Sequence, residues 1–260
     1  MAELIARREG AVGWIIFSNP AKFNAMTYDM WQALPQLLAD FERDEAVRAI
    51  VLAGDGEKAF VSGADISQLE ENQATAEARA RYASVVEAAY RAPTVCAKPT
   101  IAKIRGLCIG GGLGLAAACD LRFASDDAAF RMPAARLGIG HNFVGIRRLV
   151  DLIGVASTAD IFFSARKFDA AEALRMGFVN RVLRTGELDA EVAAYCKVVT
   201  ENAPLTIAAA KRAIIEAKLD GSTRDIEGLL KMIEACNTSE DYREGRAAFA
   251  ARRAPRFAGR

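Results

Sequence analysis

Ile104-Arg105-Gly106-Leu107-Cys108-Ile109-Gly110-Gly111-Gly112-Leu113-Gly114-Leu115-Ala116-Ala117-Ala118-Cys119-Asp120 is the stretch on which the reading of this chain turns. It opens with a short apolar run that suits a buried strand. Three successive glycines then remove every Cβ where the chain must turn. The small, apolar residues 113–118 follow and suit a tightly packed helix. A strand, a glycine turn and a helix start together point free backbone N–H groups at whatever lies in front of them. Such donors favour negative charge, whether resident or developing during a reaction. The plainer reading is a close strand–helix contact that needs glycine for packing, although one glycine would usually do.

Ala59-Phe60-Val61-Ser62-Gly63-Ala64-Asp65-Ile66 repeats the logic 47 residues earlier, counted from Ala64 to Gly111. It also runs from an apolar segment through a glycine into a polar helix start. With both stretches in view, the chain resembles the crotonase, or enoyl-CoA hydratase/isomerase, superfamily. In that family the S/A-G-A-D-I pattern supplies one backbone N–H and the middle glycine of G-G-G supplies another. The resemblance places these donors at Ala64 and Gly111, flanked by Gly63, Asp65, Ile66 and Gly110. They would hold the thioester oxygen of an acyl-CoA as it becomes an enolate. Preplaced donors of this kind are worth about 3–4 kcal/mol each. Coenzyme A then enters as part of the substrate, and no separate cofactor and no metal are expected.

The composition agrees with an ordinary globular enzyme. The chain has 260 residues, 52% hydrophobic and 26% charged, with a net charge of +1. No basic tract supports nucleic-acid binding, and no apolar run reaches the ~18 residues of a membrane span. The first residues lack the long apolar core of a secretory signal. Five cysteines without a C-x-x-C pair point to reduced thiols, and so to a cytoplasmic location.

Strands are expected over residues 4–8, 12–17, 49–53, 101–104, 119–124, 128–131 and 178–183. Helices are expected over residues 28–43, 67–73, 76–90, 144–152, 155–164 and 170–176, with Pro35 kinking the first. Strand–turn–helix units recur without sequence identity, and the family fold coils such ββα units into a spiral. From Leu188 the pattern is all helix, over residues 188–201, 205–218, 224–236 and 241–253, with a capping box at Thr238-Ser239-Glu240-Asp241. The expected class is therefore α/β, with a spiral core over residues 1–187 and a helical region over 188–260. The resemblance implies that this helical region packs the chain into a homotrimer or a dimer of trimers.

Asn19-Pro20-Ala21-Lys22-Phe23-Asn24-Ala25-Met26-Thr27 reads as a loop. In the family this loop passes the CoA moiety, which assigns Lys22, Phe23 and Ala25 to CoA binding; a plain solvent loop is the alternative. The departures are as informative. Family hydratases carry one glutamate three residues after the middle glycine, where this chain has Gly114. They carry another after a proline, where this chain has Pro133-Ala134. Neither Gly nor Ala can move a proton, so two-carboxylate hydration lacks its acid and base.

His141 is the single histidine and ends the Leu137-Gly138-Ile139-Gly140 turn, which in the family faces the acyl pocket. It is either a substitute acid/base or a surface residue. Asn142 beside it could orient a carbonyl or carboxylate, or simply precede a helix. Asp65 reads as a helix-start residue rather than a base. Three readings follow. Decarboxylation of a malonyl-type CoA needs an enolate but no base, and residues 137–145 and the tail loosely resemble the methylmalonyl-CoA decarboxylase branch. That branch, however, has histidine at the position of Ala64 and keeps the first glutamate. A dehalogenase-type branch shares the glycine at 114, but its nucleophilic aspartate falls on Asn142 here. The second reading is hydration or isomerisation through His141, and the third is an acyl-CoA binding protein with little catalysis.

Overall fold

A computed structural model describes residues 2–68 and 74–260. The chain opens with a hairpin of β1 (Glu3–Glu9) and β2 (Val12–Ser18), followed by α1 (Tyr28–Arg43). Three pairs of strands come next: β3 (Ala49–Gly54) with β4 (Ala59–Val61), β5 (Thr100–Ile104) with β6 (Leu107–Ile109), and β7 (Leu121–Ser125) with β8 (Ala129–Arg131). The first member of each pair joins a sheet ordered β1-β2-β3-β5-β7-β10. The second joins a sheet ordered β4-β6-β8-β9. The strands β9 (Lys167–Asp169) and β10 (Arg181–Leu183) complete them. Neighbours β3, β5 and β7 are parallel, as are β4, β6 and β8.

A helix closes each turn: α2 (Ala76–Val95), α3 (Gly111–Ala118), then the short α4 (Ala134–Leu137) and α5 (Phe143–Ser164). Each repeat thus gives one strand to each sheet before its helix, which is the expected α/β spiral. The strands read as continuous apolar runs because parallel strands are covered on both faces; Ala49, Ile50, Val51, Leu52 and Ala53 are all buried.

Thr27 caps α1 by accepting from the Met30 N–H at 3.3 Å. Met30, Trp31, Leu34 and Leu38 then bury one face. Pro35 does not interrupt this helix, contrary to expectation. It removes one backbone bond, and burial of Trp31, Leu34 and Leu38 on either side offsets that loss. The α2 helix likewise runs through Pro93 to Val95 and is not simply exposed, since Tyr82, Val85, Val86 and Tyr90 pack on the core. The helix expected over residues 67–73 lies mostly outside the described residues; Ile66–Gln68 forms a single 3-10 turn. Gly154, at φ 76 and ψ 168, separates the two halves of α5 that the sequence reads as two helices.

After α6 (Ala170–Arg175) and β10 come α7 (Leu188–Glu201), α8 (Pro204–Lys218), α9 (Ile226–Thr238) and α10 (Glu240–Ala250). Leu188, Val192 and Cys196 of α7 pack with Val51, Ile101 and Phe123 of the six-stranded sheet. From α8, Lys211 reaches the core. Its ammonium donates to the carbonyls of Pro93 and Lys98, both at 3.0 Å, and to Asp120 at 2.7 Å. Asp120 also accepts from the Thr100 N–H and hydroxyl, the structural role expected of it. Arg48 donates to the Thr200 and Phe257 carbonyls. Ser239 caps α10 by accepting from Tyr242 N–H at 2.9 Å. No capping box forms, because Tyr242 stands where the reciprocal carboxylate belongs. The carbonyl of Arg260 instead accepts from the Glu240 and Asp241 N–H groups.

Candidate active site

The β6–α3 turn is built by close approach. Gly110 adopts φ 52 and ψ −110, a conformation that L side chains rarely take. A Cβ on Gly112 would stand 2.1 Å from the Val61 carbonyl oxygen, so only glycine lets α3 meet β4. The helix begins at Gly111, two residues before the expected start, which makes Gly111 its first residue. Its N–H therefore has no intrahelical acceptor, and among the described residues it finds none elsewhere. The positive end of the helix adds to its pull on an anion.

The second donor comes from the segment after β4. Here the chain pairs with the preceding loop: Met26 N–H donates to Gly63 O and Asp65 N–H to Met26 O, both at 2.8 Å. Successive groups of an extended chain face opposite ways. With Gly63 O and Asp65 N–H turned toward Met26, the Ala64 N–H is turned away and has no acceptor among the described residues. Gly63 brings the two turns together, since a Cβ there would lie 3.9 Å from Gly111 N. Two N–H groups without acceptors among the described residues thus sit on adjoining turns, and both Ala64 and Gly111 are partly accessible. This arrangement can hold a developing oxyanion.

The loop before α1 is pinned to this segment. Phe23 and Asn24 take left-handed φ values of 51 and 57. Asn24 donates to the carbonyls of Asp55 and Ala59 at 3.0 and 2.7 Å. Ser62 N–H donates to Phe23 O at 3.1 Å. Lys22 donates to both Asp65 oxygens, at 2.9 and 2.8 Å, and to the Ser67 hydroxyl at 2.8 Å. Burial raises the Asp65 carboxyl, but hydrogen bonds from Lys22 and Ser67 outweigh it and hold it below its ordinary range. Asp65 also accepts from the Ser67 N–H at 3.1 Å, which is the helix-start role. Ala25 is buried, and its carbonyl accepts from Asn19. The Phe23 and Ile66 side chains are exposed beside these groups.

His141 and Asn142 lie on the α4–α5 connection. Asn142 caps α5 by accepting from Gly145 N–H at 2.8 Å. The His141 ring stands edge-on to Phe162, with centroids 5.0 Å apart. The residue is exposed, but desolvation of the ring lowers its pKa below the ordinary histidine value. The turn before them does approach the glycines, because a Cβ on Gly110 would lie 3.6 Å from the Pro133 ring.

The family model for enoyl-CoA hydratase/isomerase matches residues 7–260. The chain belongs to the enoyl-CoA hydratase/isomerase family. It is 33% identical to a short-chain-enoyl-CoA hydratase of Clostridium acetobutylicum, over 96% of this chain and 95% of that one. It is 34% identical to a carnitinyl-CoA dehydratase of Salmonella typhi, over 97% of both chains. A crystal structure of an enoyl-CoA hydratase/carnithine racemase from Magnetospirillum magneticum superposes with a TM-score of 0.94 at 33% identity, covering 100% of this chain and 97% of that one.

Within this family fold, the two positions that lack a carboxylate are filled differently. Ala134 is buried in the first turn of α4, directly after Pro133. At Gly114 the space is taken by an aromatic ring. A Cβ there would lie 2.9 Å from two Tyr90 ring carbons and 3.0 Å from its hydroxyl oxygen. Tyr90 stacks edge-on with Trp31 at 5.4 Å, and both line Gly111. Its hydroxyl makes a long 3.4 Å bond to Gly111 O. Arg148 of α5 is partly buried and places its charge near Tyr90. The sequence reading missed Tyr90 and Trp31. The available signal was the spacing Tyr82, Val86, Tyr90 and Pro93 along α2, an apolar stripe within alanines and charges.

Proposed function

We propose that this enzyme acts on an acyl-CoA thioester through an enolate held by the Ala64 and Gly111 N–H groups, and that its reaction is decarboxylation of a malonyl-type CoA. The observation that carries the reading is the occupation of the Gly114 position by Tyr90, together with the methyl of Ala134. Hydration needs one group to activate water and another to protonate carbon. Loss of CO₂ instead delivers the electron pair directly to the α-carbon and carbonyl, so no base has to remove a proton. What the reaction then requires is stabilisation of the enolate oxygen, which two backbone donors, Gly111 at a helix N-terminus and Ala64 on the segment beside it, would supply. Lys22, Phe23, Ala25, Asp65 and Ile66 would border the CoA entry. Lys22 would act there mainly by holding Asp65 and the loop in place.

A second reading is enoyl-CoA hydration or isomerisation with His141 as the base. It is favoured by the names of the relatives, several of which are hydratases. The His141 pKa lies below its ordinary value, so the ring would be neutral and able to accept a proton at pH 7. Mass spectrometry of malonyl-, methylmalonyl- and crotonyl-CoA after incubation separates the readings, with His141→Gln alongside. Loss of CO₂ in both proteins supports decarboxylation without His141. Addition of water to crotonyl-CoA, lost in the variant, supports the second reading. No turnover of any thioester points to an acyl-CoA binding protein.

We also infer self-association through the helical region. Ile214, Leu230, Ile233 and Phe249 are exposed there, and such a patch calls for a partner; a homotrimer or dimer of trimers would cover it. Among the described residues no helix is long and apolar enough to cross a membrane. The five cysteines are free thiols, which fits a reducing, cytoplasmic setting.

A further inference from the structure

We propose that the Tyr90 hydroxyl delivers the proton that quenches the enolate, taking the place in space of the carboxylate that Gly114 lacks. The inference rests on the decarboxylation reading above.

The geometry is specific. Tyr90 lies on α2, a different element from either oxyanion turn. Its hydroxyl oxygen nevertheless stands 3.4 Å from the Cβ position of Gly111 and 3.0 Å from that of Gly114. A side chain on Gly114 would leave α3 on the flank where Tyr90 lies, so the phenol, reaching in from α2, fills the space that a carboxylate at position 114 would take. Among the described residues its one hydrogen-bond partner is Gly111 O, at 3.4 Å, beyond the usual 2.5–3.0 Å range of an O–H···O bond. The hydroxyl is therefore free to turn toward a substrate atom. The ring is held by Trp31, which is fully buried and meets it edge-on. A rigid ring with a loosely committed hydroxyl is what a proton donor needs.

The charge balance follows from the same residues. The bond between the α-carbon and the carboxylate breaks, and its electron pair enters the enolate as CO₂ leaves. The enolate oxygen rests on the Ala64 and Gly111 N–H groups. When the enolate collapses, its α-carbon takes the hydroxyl proton of Tyr90, and the O–H pair stays on the phenolate. Water returns a proton to the phenolate, so the net change is one carboxylate and one proton converted to CO₂ and a C–H bond. Burial pushes the Tyr90 hydroxyl well above its ordinary range, so it is protonated at neutral pH and acts as a donor. The Arg148 guanidinium pulls the other way and stabilises the transient phenolate.

The test uses the full-length protein and methylmalonyl-CoA in D₂O. Both CO₂ release and the configuration of the deuterium at C2 of the propionyl-CoA product are read. Wild type should give one enantiomer, because the donor stands on one face of the enolate. Tyr90→Phe keeps the ring and its packing, and an unchanged melting temperature checks the fold. It should give racemic product with kcat lower by about 10²-fold, the low end for a general acid, and KM within about twofold. A packing role would leave the stereochemistry untouched. Single-enantiomer product from Tyr90→Phe overturns the role of Tyr90 while leaving decarboxylation standing. Absence of CO₂ from the wild type overturns the decarboxylation reading and this proposal with it.

Discussion

Replacing Gly112 by alanine tests whether the glycine run exists to set the oxyanion site. The added Cβ would lie 2.1 Å from the Val61 carbonyl oxygen and 2.9 Å from the carbonyl carbon. A carbon–oxygen contact relaxes to about 3.3 Å, so the two backbones must part by about 1.2 Å. Both residues are buried, and neither contact is the end of a flexible side chain. Overpacking of this kind costs about 1–3 kcal/mol of stability. In a chain of this size that lowers Tm by about 2–4 °C per kcal/mol. Val61 ends β4, three residues before Ala64, while Gly112 follows Gly111 directly. The displacement therefore falls across the gap between the two donors. A misplacement near 1 Å costs on the order of 10²-fold in rate, which is about 2.7 kcal/mol of barrier. Circular dichroism melts and kcat/KM on the substrate that wild type turns over measure both effects. Gly140→Ala, where nothing lies within 4 Å of the added Cβ, is the control. A Gly112→Ala protein with wild-type Tm and turnover would refute the close-approach argument.

Gly114→Glu alone should not create hydratase activity, because its Cβ would strike the Tyr90 ring at 2.9 Å. Adding Tyr90→Ala and Ala134→Glu should yield measurable loss of the crotonyl-CoA enoyl absorbance; failure of the triple variant to hydrate would count against the assignment of these positions. Lys22→Ala removes the stronger partner of a carboxylate held below its ordinary pKa. The stability from that pair is present above the ordinary value of 3.8 and is lost as pH falls through the folded value. The variant's acid unfolding should therefore begin at higher pH, and its KM for the CoA thioester should rise severalfold. Glu244, bonded to Arg253 and to the Arg256 N–H, is held down to about 2 from 4.5. Glu244→Gln should flatten the acid-unfolding profile between pH 4.5 and about 2, and an unchanged profile would show that this tie contributes nothing.

Backbone-built features were the legible ones. Gly63-Ala64-Asp65 and Gly110-Gly111-Gly112 announce themselves because a turn without Cβ atoms has few alternatives. The spiral came from the family resemblance, whereas the delivery of paired strands to alternate sheets is seen only in the structure. Side-chain features were less legible. By local rule Pro35 predicts a kink in α1 and Pro93 lies beyond the expected end of α2 at residue 90, yet both helices run through their prolines. In α2 the alanines and charges dilute the apolar stripe, which hides Tyr90 among the letters. The resemblance assigns Lys22 to CoA binding, and only tertiary contact reveals Asp65 and Ser67 as its partners. The absence of carboxylates at Gly114 and Ala134 was plain from the letters; what fills the space at Gly114 arrives from 24 residues away along the chain.

The Lys211 contact also sets an order of events during synthesis. Asp120, at the end of the helix that carries Gly111, lies 91 residues before the lysine that pairs with it. At about 5–20 residues per second, a nascent chain spends roughly 5–18 s with that carboxylate and the Pro93 and Lys98 carbonyls awaiting their ammonium. The oxyanion turns can form early, since their strands and helices are already out. Their foundation is finished only when the late helices emerge. A ribosome-bound chain stopped before α8 should thus carry both donors on an unanchored frame.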